Sequence, residues 1–189
     1  MEKQKMNKRV FFYRKDLEYQ ELKTFLRNYQ GVFSISLEKK LLAVDLKKPF
    51  LKTDLQKLRE FFLEEFIMDF IGFYLPDNFE IEKLLITDFL NELNYGVYSI
   101  SDLITNICLN KRTDLKNSLK DYYYTLIGIE NINTAIGFIE NNFNASLASK
   151  KLFLHRNTLN YRLDNFIDKS GINIKSFKEG LAIYLLFRS

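Results

Sequence analysis

A single cysteine, a single histidine, no tryptophan and no long apolar run set the first limits on this 189-residue chain. With only Cys108, an intramolecular disulfide is excluded and a reducing compartment is the natural setting. Cys108 sits in an apolar helical pattern, as a buried structural thiol does. His155 has no companion histidine, and a His155/Cys108 pair has no third ligand in view, so no metal site is expected. No apolar stretch approaches the roughly 18–20 residues that span a bilayer; the richest, from Phe61 to Leu75, is broken by Glu64, Glu65 and Asp69. The N-terminal MEKQKMNKRVFFYRK is basic but has neither an apolar core nor a cleavage site, so it does not resemble a secretion signal. The GxxxxGK, GxGxxG, HExxH and CxxC patterns are all missing. Paired carboxylates such as Glu64 and Glu65 fall in surface helical patterns, so neither an enzyme nor a cofactor is expected. There is no internal repeat, low-complexity tract or Gly/Ser linker, and the two halves of the chain are expected to pack together.

What is present is a globular composition, 47% hydrophobic and 28% charged, rich in phenylalanine and tyrosine. The net charge of +4 is unevenly placed. Residues 1–130 carry 20 basic and 20 acidic side chains, whereas residues 131–189 carry 8 and 4, so the last third holds the entire excess. Within it lies Asn144 to Phe166, NASLASKKLFLHRNTLNYRLDNF. Leu159, Leu163, Phe166 and Ile167 recur at helical spacing and make one apolar stripe. The opposite side presents Asn157, Thr158, Tyr161 and Asn165, with Arg162 on its flank. A short helix over about Ser146 to Leu152 precedes it, small at Ala148 and Ser149 where a second helix can cross closely. Phe153 and Leu154 are expected to fill the corner between them. Two short helices with a polar, basic outer face on the second form a helix-turn-helix, whose second helix fits the major groove of DNA.

The candidate contacts follow from position. His155 is placed to cap the second helix, either while touching DNA or from a partly buried site. Arg156, in the first turn, suits a phosphate oxygen or a guanine edge equally. Asn157 and Thr158 can reach phosphate or base edges, or cap the helix locally. Tyr161 faces out, toward a thymine methyl or the sugar-phosphate wall unless a dimer partner covers it. Lys150, Lys151 and Arg162 are candidate phosphate contacts, and Asp164 faces outward where it would repel the backbone. With Asn160 these make the candidate set: Lys150, Lys151, His155, Arg156, Asn157, Thr158, Asn160, Tyr161 and Arg162.

The segment Phe153-Leu154-His155-Arg156-Asn157-Thr158-Leu159, followed by Tyr161-Arg162-Leu163, resembles the C-terminal helix-turn-helix of PucR/CdaR-type bacterial transcription regulators. Their HRNTLxYRL hallmark follows an N-x-S-x-x-x-x-x-L helix, whose places Asn144, Ser146 and Leu152 occupy here. The trailing Ser170 to Ile174 and a closing apolar helix also fit. The resemblance is strong from about Ile132 to Phe187 and weaker upstream to about Ile86. Three residues depart from it: Ser149 replaces a usual alanine, Asn165 a common basic residue, and Gly180 an arginine. The resemblance implies a Fis-like helix-turn-helix, double-stranded DNA as partner, a homodimer and a cytoplasmic setting. Some relatives of this type carry a GGDEF-like domain ahead of the reading head, but Glu38-Lys39-Lys40 stands at the corresponding hairpin, so nucleotide cyclisation is not implied.

Upstream, the pattern runs strand, helix, strand, strand, helix, strand. Arg9 to Tyr13, Val32 to Leu37 and Leu41 to Leu46 are the first three strands, with a turn at Glu38-Lys39-Lys40. A helix stripe through Leu17, Leu22, Phe25 and Leu26 ends near Gly31. Thr53 or Asp54 can cap a helix carrying Leu55, Leu58, Phe62 and Phe66. Ile67 to Leu75 follows as a strand stopped by Pro76 and Asp77, or as a helix continued to Phe73. The order is that of a ferredoxin-like βαββαβ domain. From Asn78 the chain is helical: Ile81, Leu84, Leu85, Phe89 and Leu93 share one stripe ending near Gly96, and three further helices lead to the motif. The expected fold class is α+β, with a small α+β domain over 1–77, a helical connection over 78–130 and the helix-turn-helix over 131–189. The function expected is a sequence-specific transcription regulator. The rival readings are an interaction or architectural protein that keeps the helix-turn-helix for structure, and a small-ligand-binding protein. No constellation in the N-terminal half marks an effector site.

Overall fold

Strand β1, Arg9–Tyr13, has apolar side chains at four successive positions, and Val10, Phe11, Phe12 and Tyr13 are all buried. Such a strand needs cover on both faces of its sheet, which is why it reads as a run and does not alternate. In the computed structural model, which describes residues 9–38, 40–48, 51–75 and 87–188, β1 is the centre of a five-stranded sheet. The order is β2 (Val32–Glu38), β3 (Leu41–Leu46), β1, β4 (Ile71–Tyr74), β5 (Gly96–Tyr98). β1 runs antiparallel to both β3 and β4, and β2 and β3 form an antiparallel hairpin. The first four strands therefore have the ferredoxin-like arrangement, and β5 extends it in parallel to β4.

Helices α1 (Gln20–Asn28) and α2 (Lys52–Phe66) cover one face. Their Leu22, Leu26, Leu55 and Phe62 pack with Val10, Phe12, Leu42 and Val44 of the sheet. α2 starts one residue before Thr53; Asp54, two residues further in, accepts a hydrogen bond from the Leu51 N–H at 2.8 Å. On the next segment the structure corrects the expected strand. α2 runs on to Phe66, Ile67 turns left-handed at φ 50°, and the strand begins only at Ile71. The Met68 N–H donates back to the Phe62 carbonyl at 3.1 Å, a helix ending that an apolar run cannot reveal. A bidentate pair, Arg59 to Asp69 at 2.6 and 2.7 Å, ties α2 to the loop before β4. Strand β5 replaces the expected helix end at Gly96. The basic tail before Arg9, Lys39 of the hairpin turn, Pro49, the stop at Pro76-Asp77 and the helix start through Ile81, Leu84 and Leu85 lie outside the described residues. Phe89 and Leu93 of that stripe are buried, and α3 (Thr87–Glu92) supplies Asn91 to the Tyr13 hydroxyl at 2.8 Å.

The chain divides into two compact units, Met1–Ile100 and Ser101–Ser189. The second is all helical: α4 (Ile100–Leu109), α5 (Thr113–Ile127), α6 (Ile129–Glu140), α7 (Ala145–Lys151), α8 (Arg156–Ser170) and α9 (Phe177–Arg188). α5 buries the stripe its sequence spacing marks, Leu115, Leu119, Tyr123 and Ile127. On α9 the four-residue spacing of Phe177, Leu181 and Leu185 misleads, since Phe177 and Leu181 are exposed and Gly180, Ala182, Ile183 and Leu186 face inward. α8 packs against α5, α6 and α7 together. Gly137 on α6 permits the close approach of the chain after α7: a Cβ there would lie 2.8 Å from Leu152.

Candidate nucleic-acid interface

Asn144 begins the motif as the N-cap of α7, its Oδ1 accepting the Leu147 N–H at 3.0 Å. Seven residues later the helix ends in a paired reverse bond. The Phe153 N–H donates to the Lys150 carbonyl at 3.3 Å, and the Leu154 N–H to Ser149 at 2.9 Å. This is the Schellman ending, in which the left-handed residue is usually glycine. Here it is Phe153, at φ 53°; a bulky residue in that region costs about 1–2 kcal/mol. Phe153 does not fill the corner as its apolar character suggests. It is 96% exposed, while Leu152 and Leu154 are half-buried.

His155 is the N-cap of α8, with extended backbone and its Nδ1 accepting the Asn157 N–H at 3.3 Å from an exposed position. The inward stripe of α8 is Leu159, Leu163, Phe166 and Ser170. Arg156, Asn157 and Thr158 of the first turn are exposed, Tyr161 is 71% exposed, and Asn160 is half-buried. At the far end Gly171, φ 69°, stops the helix. The buried Ser170 hydroxyl donates to the Phe166 carbonyl and accepts the Ile172 N–H.

The charged groups fall into two sets. Arg162 turns back to α6, donating to Glu130 at 2.6 Å and approaching the Thr134 hydroxyl at 3.5 Å. Asp164, the carboxylate that would repel a phosphate, is paired with Lys175 at 2.7 Å. Lys178 pairs with Asp102, and Arg188 with Glu140. Lys150, Lys151 and Arg156 are exposed and have no ion pair among the described residues. They bracket the turn between α7 and α8, so three unpaired cations lie at the N-terminal end of α8, where the helix dipole has the same sign, while Lys169, also exposed and unpaired among the described residues, lies in the last turn. Glu130 and Thr134 escape sequence reasoning because they lie 32 and 28 residues from Arg162. Spacing within α8 carries no sign of them.

Among the described residues no group of three or more His, Cys, Asp and Glu side chains could hold a metal ion, and no helix is long and apolar enough to cross a membrane. Burial pushes the Cys108 thiol above its usual range, away from the reactive thiolate.

Comparison with known sequences decides what the α7–α8 pair is. Residues 132–189 match the model of the PucR C-terminal helix-turn-helix domain. The chain carries a PucR-type helix-turn-helix. Its match begins inside α6, so α5, which packs on α8 and α9, adds to the matched domain within the same unit. The chain is 59% identical over 49 residues, 26% of its length, to the uncharacterized protein YxkF of Bacillus subtilis (strain 168). It is 29% identical over 157 residues, 75% of its length, to the DNA-binding transcriptional activator AdeR of the same organism. It spans 16% and 37% of the lengths of these two relatives. Among solved structures, a regulator of polyketide synthase expression from Bifidobacterium adolescentis aligns over 94% of this chain and 77% of its own, at 11% identity and a TM-score of 0.48.

Proposed function

We propose that this protein is a sequence-specific, DNA-binding transcription regulator of the PucR type, acting as a homodimer. One observation carries the reading: three cations without acidic partners, Lys150, Lys151 and Arg156, surround the exposed first turn of a helix whose opposite stripe is fully buried. Docked by that end, α8 offers Arg156, Asn157, Thr158 and Tyr161 to the groove, and Lys150 and Lys151 to phosphates. His155 holds the helix start, with its imidazole at the same surface. Asn160, half-buried, is a secondary contact. Arg162 acts by bracing α8 against α6 through Glu130, which fixes the angle at which the first turn is presented. The DNA-binding domain takes in residues 131–189, joined within the same unit by α5, while β5 belongs to the sheet of the α+β unit before it. AdeR, described as a DNA-binding transcriptional activator, supports the same assignment. One such head reads few base pairs, so two half-sites about one helical turn apart are expected.

Genomic fragments captured on the full chain and sequenced test this directly. Enrichment at one motif, palindromic at the half-site spacing, is the expected result. Uniform coverage would replace the proposal with an architectural role, and capture of no DNA would replace it with an interaction module.

A further inference from the structure

Phe153 is the most exposed of the large apolar side chains among the described residues, and it occupies a left-handed position that glycine fills without strain. Neither feature helps the fold. Its backbone makes the turn, through the Phe153 and Leu154 N–H groups, and its ring buries almost no surface. Ile67 has a similar backbone and is 94% exposed, but its chain neighbours are Glu64, Glu65 and Asp69. Phe153 instead follows Lys150 and Lys151 and precedes Arg156, all exposed. A polyanion held by those three cations must come down over the turn that separates them, and the ring stands on that turn. The apolar group that a DNA major groove offers to such a ring is the C5-methyl of thymine.

We propose that Phe153 is a DNA-contacting, specificity-determining residue whose ring packs against a thymine methyl at the edge of the groove entered by α8. The inference rests on the DNA-binding reading above and adds a base preference to it. It also accounts for the phenylalanine: a residue that strains the turn and buries nothing in the free protein gains its burial in the complex.

The test uses the full chain and the site obtained from the fragment capture. Each thymine of a half-site is replaced in turn by uracil, which removes only the methyl group, and affinity is read by fluorescence anisotropy for the wild type and for Phe153→Gly. One thymine per half-site should respond in the wild type by about fourfold, the worth of one buried methyl. Phe153→Gly should bind the thymine site more weakly by at least that factor and be indifferent to uracil at that position. Its melting temperature should equal or exceed the wild type's, because glycine relieves the left-handed strain. Earlier melting of Phe153→Gly would overturn the proposal by making the ring part of the fold. Unchanged DNA affinity with lost activation of a reporter would overturn it by assigning the ring to a protein partner. Weaker binding with no uracil response at any position would overturn the thymine contact in favour of the sugar-phosphate wall. If the wild type enriches no sequence at all, the DNA-binding reading itself fails, a result distinct from each of these.

Discussion

Replacing Leu163 and Tyr161 one at a time separates folding from reading within a single helix. Leu163 is fully buried on the stripe that packs under α8, and Tyr161, two residues earlier, is 71% exposed. Leu163→Ala removes three carbons from a closed contact and should destabilise the helical unit by about 2–5 kcal/mol. For a unit of this size that lowers the melting temperature by on the order of 10–30 °C. DNA binding should fall only in proportion to the unfolded fraction. Leu163→Met, which nearly conserves volume, should cost less than about 1.5 kcal/mol and keep DNA binding at room temperature. Tyr161→Ala should change stability by less than about 0.5 kcal/mol, within a few degrees of melting temperature, yet weaken DNA binding. The assay pairs a circular-dichroism melt with an anisotropy titration on each variant. Early melting of Tyr161→Ala, with unchanged DNA affinity of the folded fraction, would place that ring in a core or dimer interface. α8 would then face the wrong way for DNA.

The other expectations concern charge and assembly. With Lys150, Lys151 and Arg156 as phosphate contacts, the slope of log affinity on log salt should be about −2.7 per head and about −5.4 for a dimer; a flat titration removes those residues from the phosphates. Arg162→Ala should leave that slope unchanged and cost no more than about 1 kcal/mol of stability, because Glu130 is largely solvated. A slope reduced by about 0.9 per head would instead return Arg162 to the backbone. Light scattering should show a two-fold dimer on the DNA site; a monomer both free and bound refutes the paired half-sites. In the N-terminal unit, hydrogen bonds from the Arg9 guanidinium, with a smaller contribution from Ser34, hold the Asp45 carboxyl below its usual range. A depressed folded pKa stabilises above the unfolded value of about 3.9 and loses that contribution as pH falls through the folded one. The stability gap between wild type and Asp45→Asn in urea titrations should therefore shrink from about pH 6 to about pH 3, and a constant gap would refute the linkage.

The α8 stripe was legible because Leu159, Leu163 and Phe166 obey one helical period, and the caps because Asn144, His155 and Gly171 are residue types that those backbone positions favour. The sheet was legible in its first four strands for the same local reasons. Where reading failed, the deciding interaction was distant or conformational. Ile67 to Leu75 is apolar throughout, and apolarity alone cannot locate the left-handed residue at which α2 ends. β5 is three residues long, with its identity set by pairing to β4 and not by its own pattern. The Arg162 pairing with Glu130 was not legible because that carboxylate is on another helix. Phe153 looked like corner filling because hydrophobicity scales carry no information about the sign of φ.

The departures from the PucR motif show how this chain accommodates its own packing. Gly180 stands where the resemblance expects arginine, and it is buried in the first turn of α9. A Cβ at that position would lie 2.7 Å from the Phe143 ring and 3.1 Å from the Ile174 carbonyl oxygen. Phe143, itself left-handed at φ 59°, brings that ring against Phe138 at 5.7 Å and Phe177 at 6.3 Å between centroids. The ring therefore fills the space a side chain at 180 would need. Ser149 is a smaller case. It is buried at the helix crossing, where alanine would leave nothing unsatisfied, and its hydroxyl finds the Ser146 carbonyl at 3.1 Å. Both changes are absorbed beneath the motif, among side chains that α8 packs with or that follow it. The exposed first turn, with Arg156, Asn157 and Thr158 and with Lys150 and Lys151 beside it, keeps the motif unaltered. The two changes thus lie in the packing beneath the motif and leave its exposed face as the resemblance has it.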